Sequence, residues 1–187
     1  MRVVVIRHGT VDYTIRKRSN SKEYDEDNIL YDSAPLKSSF TMTAPEGDFK
    51  TIYVSSLQRT YDTCKIAFPG REPIRTDLID EVPLRAYKDS DRRLPFWVWD
   101  IAGRFQWLSD TNRQGDSKKK TIKRAQEFTD MLINKNEDCA VITHGYFMHV
   151  LKVVMKRNGF KIRDNTIKFK NGEHFEAIYE DTTDGSY

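Results

Sequence analysis

With 187 residues, 38% of them hydrophobic and 32% charged, the chain fits one soluble globular domain. A net charge of +3 is too small to argue for a nucleic-acid partner, and no basic-aromatic motif of known type appears. No stretch approaches the roughly 20 apolar residues that span a bilayer, and no basic segment with an apolar h-region leads the chain, so a cytoplasmic protein is expected.

In chain order, Val3-Val4-Val5-Ile6 is a continuous β-branched run, the pattern of a strand buried on both faces. It stops at Arg7-His8-Gly9-Thr10. Residues 16–50 are polar and aperiodic and read as loop, with room for a short helix. Pro35 and Pro45 punctuate them. Thr51-Ile52-Tyr53-Val54 is a second strand. Ser55-Ser56 then offers an N-cap for a helix that places Leu57, Tyr61, Cys64 and Ala67 on one face and stops at Pro69-Gly70.

A short third strand is expected around Ile74 within residues 73–80. Pro95 can start a helix across the aromatic-rich stretch Phe96 to Leu108. Ser117 can cap a long helix ending near Asn134, with Ile122, Ala125, Phe128, Met131 and Leu132 facing inward. Ala140-Val141-Ile142-Thr143 is another buried strand, followed by His144-Gly145 and an apolar helix over Tyr146 to Met155. Phe175 to Tyr179 alternates in part, as an edge strand does, and Asp181 to Tyr187 reads as a loose tail.

Strand, polar turn and helix recur, which argues for one α/β domain with a mostly parallel central sheet and helices on both faces. Ligands of such sheets bind beyond the carboxyl ends of the strands. The residues just after each strand are therefore informative: Arg7-His8-Gly9 after the first, Ser55, Ser56 and Arg59 after the second, and His144-Gly145 after the last buried one. Two arginines and two histidines around one site make a cationic pocket suited to the oxygens of a phosphoryl group. A histidine can also attack phosphorus and carry the group covalently. Its attacking nitrogen must be unprotonated, and a backbone carbonyl near Gly9 could hold the other. Gly9 and Gly145 allow close backbone approach beside each histidine. Each tripeptide alone occurs by chance; their placement after buried strands is what carries the reading.

These motifs resemble the histidine phosphatase superfamily, the phosphoglycerate mutase-like proteins. VVVIRHGT is similar to its signature strand and catalytic turn, IYVSSLQRTYDTCKIAF to its second motif, and VITHGYFMHVL to its C-terminal His-Gly motif. DSAPL, Asp32 to Leu36, is weakly similar to the stretch after the turn. The resemblance implies a three-layer α/β/α sandwich and metal-independent hydrolysis of phosphate monoesters, with no cofactor, no metal and a small phosphorylated substrate. It implies His8 as the phosphorylated nucleophile, and Arg7, Arg59 and His144 on the phosphoryl oxygens, with Gly9 and Thr10 completing the substrate-binding turn.

By the same resemblance Glu81 in LIDEVPL is the general acid/base. Asp80 is its rival, and on an extended segment only one of the two can face the pocket. A phosphoglycerate mutase-like transferase and a non-catalytic phosphate-binding module are the alternatives. Mutases of the superfamily are usually longer, and a degenerate module should have lost part of the set. The chain departs from the family in VPLRAYKDSDRRL and LKSSFTMTA, which bears on substrate rather than on catalysis.

Other residues have plainer readings. Cys64 and Cys139 are small core residues in a reducing compartment. Trp97, Trp99 and Trp107 fill the core or wall the pocket, Arg92 and Arg93 are solvated or meet a charged substrate, and Lys118-Lys119-Lys120 is a solvated face. His149 is packed and His174 structural or exposed. The oligomeric state is left open.

Overall fold

A computed structural model of the chain describes residues 1–111, 113–163 and 169–180; the expected tail at 181–187 lies outside these. In chain order the elements are β1 (Arg2–Arg7), β2 (Arg18–Ser19), α1 (Ser21–Ser33), β3 (Thr51–Val54), α2 (Gln58–Ala67) and β4 (Ile74–Arg75), then a turn of 3-10 helix at Asp77–Ile79. There follow β5 (Leu94–Pro95), α3 (Phe96–Leu108), α4 (Lys118–Lys135), β6 (Cys139–Thr143), α5 (Gly145–Arg157), β7 (Lys161–Arg163) and β8 (His174–Ile178). The central sheet has the order β4-β3-β6-β1-β8-β7. Strands β4, β3, β6 and β1 run parallel, and β8 pairs antiparallel with both β1 and β7.

Alternation along β1 divides the core into two layers. Val3 and Val5 face one side, where Ala125, Phe128 and Leu132 of α4 and Phe147, Met148 and Leu151 of α5 cover them. Val4 and Ile6 face the other, with Ile52, Val54 and Cys64. Period two in the strands and helices on each face produce the α/β/α sandwich. Cys139 joins the first layer, so both free cysteines are core residues. Burial pushes their thiols up, to about 11 for Cys64 and about 12 for Cys139.

Ser117 caps α4 by accepting from the Lys120 amide at 3.2 Å, and Asn136 ends that helix in the left-handed region at φ 48°. Helices α3 and α4 begin where Pro95 and Ser117 place them.

Three expectations need correction. The polar stretch 16–50 contains a 13-residue helix, α1. Its signal is local: Asn20 accepts from the Glu23 amide while Glu23 reaches back to the Asn20 amide, a capping box. Helical periodicity is absent because α1 buries Ser21, Tyr24 and Asp27, of which only Tyr24 is a large apolar group. Neither Ser55 nor Ser56 caps α2, whose N-cap is Leu57 without a side-chain bond. The short third strand expected around Ile74 is present as β4, after which the chain turns into the 3-10 helix. Finally, β8 is not an edge: β7 pairs outside it.

A smaller cluster of Tyr24, Ala86 and Trp99 lies apart from these layers, packed by Tyr87, Leu94 and Phe96. It ties α1 to α3, aided by the β2–β5 ribbon. Among the described residues, no helix is long and apolar enough to cross a membrane.

Candidate active site

Strand register builds the site. In the β1–β6 ladder Arg7 faces Thr143, so the next residues, His8 and His144, emerge side by side at the sheet edge. Their rings lie 5.0 Å apart at 57°. In the β3–β6 ladder Val54 faces Ile142, which brings Ser55 to the same edge.

His8 is buried, and its Nδ1 lies 2.7 Å from the Gly9 carbonyl oxygen. A carbonyl only accepts, so Nδ1 carries the proton and Nε2 keeps a free lone pair. Burial and the positive charges of Arg59 and Arg7 push the ring pKa down to about 3, against the opposing pull of the Gly9 carbonyl. The turn is pinned from outside as well. The Gly9 amide donates to Thr63 Oγ1 at 2.8 Å, and Thr63 donates in turn to the Arg59 carbonyl at 2.6 Å. Asn171 Nδ2 donates to the carbonyls of His8 and Gly9 at 2.9 and 3.1 Å. A Cβ on Gly9 would stand 2.5 Å from the Phe40 ring, so any larger residue there must push that ring aside.

His144 has the complementary arrangement. Arg59 Nη2 and Nε donate to its Nδ1 at 3.0 and 3.3 Å. A guanidinium has no acceptor, so the ring proton sits on Nε2 and is donated to Ser55 Oγ at 2.7 Å. Burial, then Arg59, His8 and Arg7, hold the ring pKa well below 6.5. The Arg59 guanidinium is itself buried and pairs through Nη1 with the Asp32 carboxylate at 2.9 Å. Burial raises the Asp32 pKa, with Arg59 opposing.

Arg7 donates through Nη1 to the Phe169 carbonyl at 2.5 Å. Its Nε is a buried donor that has no acceptor among the described residues. Such a group costs free energy unless an anion meets it. A Cβ at Gly145 would lie 3.0 Å from that Nε, so the glycine makes room for the guanidinium.

Glu81 sits at the N-terminus of α5. Its Oε1 accepts from the amides of Phe147 at 3.0 Å and Val82 at 2.9 Å. The N-cap residue His144 makes no side-chain capping bond, so Glu81 serves that helix end in its place. Asp80 turns elsewhere and accepts from the amide and hydroxyl of Ser56 at 2.7 and 2.5 Å. The two neighbours thus point apart, as extended backbone requires.

Arg7, His8, Arg59 and Glu81 border one cavity of about 510 Å³, closed on its far side by α1 and α3. Asp80 does not line it, and neither do Gly9 or Thr10. Thr10 lines a separate cavity with Lys37 and Phe40. Trp99 and Trp107 are core residues and Trp97 is 62% exposed; of this aromatic stretch Phe96 is the one that reaches the cavity. Arg93 pairs with Glu23, and Arg92 is exposed. His149 packs on Phe169 with ring centroids 5.2 Å apart, and His174 is exposed on β8. Among the described residues, no group of His, Cys, Asp and Glu is arranged to hold a metal ion.

Sequence reasoning missed Asn171 and the pairing of Asp32 with Arg59. Asn171 carries no motif, and Asp32 lies on the helix hidden by its polar pattern. Thr63 lies inside the second motif, four residues after Arg59, without being singled out by it.

A family model described as histidine phosphatase superfamily (branch 1) matches residues 3–171. A comparison with curated protein sequences finds no match. Among solved structures, the chain is similar to the product of a Mycobacterium tuberculosis open reading frame at 15% identity and TM-score 0.57, covering 97% of this chain and 92% of that one. It is similar to a mycobacterial glucosyl-3-phosphoglycerate phosphatase at 16% identity and TM-score 0.54, covering 83% and 79%. A Bacillus stearothermophilus protein, YhfR, matches at 18% identity and TM-score 0.52, covering 83% and 80%. At these identities the likeness is one of fold.

Proposed function

The chain belongs to the histidine phosphatase superfamily, branch 1, and from that premise we propose that it hydrolyses phosphate monoesters through a phosphohistidine on His8. The observation that carries this reading is that a tautomer-locked His8 and the Arg7 guanidinium, whose buried Nε has no acceptor among the described residues, border one cavity.

The steps follow from the geometry. The substrate phosphoryl group meets Arg7 and Arg59, whose fixed charges favour the spreading negative charge of the transition state. His8 Nε2 attacks phosphorus as the bond to the leaving oxygen breaks. Glu81, acting as the general acid, gives a proton to that oxygen. Water then attacks the phosphohistidine, Glu81 takes the water's proton, and inorganic phosphate leaves with His8 neutral again. His144 is held beside His8 through Ser55 and Arg59, fully buried and outside the cavity lining. Asp32 competes with the substrate for Arg59, so phosphate binding loosens that ion pair.

The same residues serve a cytoplasmic enzyme acting on a small phosphorylated metabolite without metal. The test is p-nitrophenyl phosphate hydrolysis in EDTA by wild type and by His8→Ala. Wild type should turn over, and the variant should lose at least about a thousandfold in kcat. Substantial activity in the variant, or dependence of wild type on added metal, would reject the mechanism.

A further inference from the structure

The half of the main cavity remote from the sheet edge has its own chemistry. Ile15, Ile29, Pro83, Leu84 and Phe96 give it apolar walls. Ile29 is 69% exposed, an apolar side chain turned to an opening rather than to the core.

The charges on this wall balance. Arg85 and Arg104 stand against Asp25 and Asp100. Both cations are engaged. Arg85 faces Asp25 at 3.8 Å, and Arg104 lies 3.6 Å over the Tyr146 ring and donates to the Val82 carbonyl at 3.3 Å. Asp25 also accepts from the Ala86 amide at 2.7 Å. Asp100 differs: among the described residues it has no hydrogen-bond or ion-pair partner. Burial raises its pKa, Arg104 opposes that rise, and Glu81 adds to it. Asp100 therefore sits within the field of the proposed general acid. It also borders the neighbouring cavity, which shares Arg7, Glu81 and Arg104. A leaving group departing through either cavity passes this carboxylate.

We propose that this wall selects phosphate monoesters whose leaving alcohol is uncharged and has an apolar face, and that Asp100 rejects leaving alcohols carrying a second anion. The proposal rests on the phosphatase reading above. A neutral ring or hydrocarbon face removes the apolar walls from water, and its hydroxyl groups can donate to Asp100. A carboxylate there meets Asp100 across a partly desolvated gap, and Arg85 and Arg104, each already drawn to a neighbour, offset that repulsion only in part.

The test compares kcat/KM for benzyl phosphate and phosphoglycolate, whose leaving alcohols are both primary but carry a phenyl ring and a carboxylate respectively. Wild type should favour benzyl phosphate by about tenfold or more, a modest like-charge effect at a partly screened site. Asp100→Asn should narrow that preference about tenfold, mainly through faster phosphoglycolate turnover. Asp100→Glu keeps the charge and should retain the preference, which separates selectivity from a general folding defect. Equal use of both esters by wild type, a preference for phosphoglycolate, or an unchanged ratio in Asp100→Asn would overturn the proposal. Hydrolysis of neither ester while p-nitrophenyl phosphate turns over would overturn this proposal alone, and failure on all three would overturn the phosphatase reading with it.

Discussion

The sheet edge and the α1–α3 wall are built by opposite means. At the edge, three parallel strands fix His8, Ser55 and His144 through ladder register. Thr63, Asn171 and Phe40 then restrain the same turn from three directions. The wall hangs on one small cluster, Tyr24, Ala86 and Trp99, and on a two-residue ribbon. It leaves Ile29, Trp97, Ile101 and Phe105 exposed. Backbone pairing thus positions the two histidines, while a small cluster, a short ribbon and single side-chain hydrogen bonds position the groups that meet the rest of the substrate. Chemistry sits where geometry is over-determined, and specificity where it is cheap to change.

The largest expected effect strikes the edge through pH. Both histidines are buried neutral, with His8 lowered to about 3 and His144 well below 6.5. In the unfolded chain they protonate near pH 6.5. Their contribution to stability is therefore complete above about pH 6.5 and is lost as pH falls toward the folded values, at about 1.4 kcal/mol per pH unit for each histidine. The melting temperature of the phosphate-free protein should fall steadily from pH 6.5 downward, and His8→Gln should flatten that slope. A flat profile to pH 4.5, roughly two units below the unfolded histidine value, would mean the rings are not held neutral.

Next in size is a break in the wall. Trp99 is buried and donates through Nε1 to the Ser19 carbonyl at 2.9 Å. Trp99→Ala should cost about 3–5 kcal/mol of stability by cavity formation and a stranded carbonyl. If the two regions are as separate as they look, KM for a bulky ester rises more than kcat for a small one falls. Equal loss in both would show that the wall also sets the chemistry.

A smaller and sharper effect returns to the edge. Gly145→Ala changes the first residue of α5, outside the helix interior where propensity counts most, and places a methyl about 3.0 Å from Arg7 Nε. Stability should hold or rise while kcat/KM falls about tenfold to a hundredfold, as a displaced phosphoryl ligand demands. Unchanged activity would show that Arg7 has room to shift without cost.

The same contrast explains what could be read from the residues alone. The strands of the edge announce themselves: Val3 to Ile6 and Ala140 to Thr143 are runs of buried apolar residues, and the polar turns after them hold the histidines and Arg7. Parallel pairing of such strands brings their ends together, so the cluster was legible once the fold class was. Glu81 against Asp80 came from the family resemblance and the two-sidedness of extended chain, and the structure turns the pair apart in that sense. The wall was nearly illegible. Helix α1 buries mainly polar side chains, so no apolar period marks it, and only the Asn20–Glu23 box betrays its start. Thr10 was grouped with the substrate turn because it follows Gly9, but the chain bends there and its side chain lines another cavity. Asn171 acts through two backbone carbonyls from far along the chain, which no local pattern encodes.

The central claim is that His8 Nε2 carries the phosphoryl group. The most direct measurement is a rapid alkaline quench of wild-type protein turning over p-nitrophenyl phosphate, followed by intact and peptide mass analysis under conditions that preserve phosphohistidine. The account predicts one acid-labile phosphoryl group on the peptide containing His8, absent from His8→Ala. A phosphoryl group on another residue, or steady turnover in His8→Ala with none trapped on wild type, would contradict it.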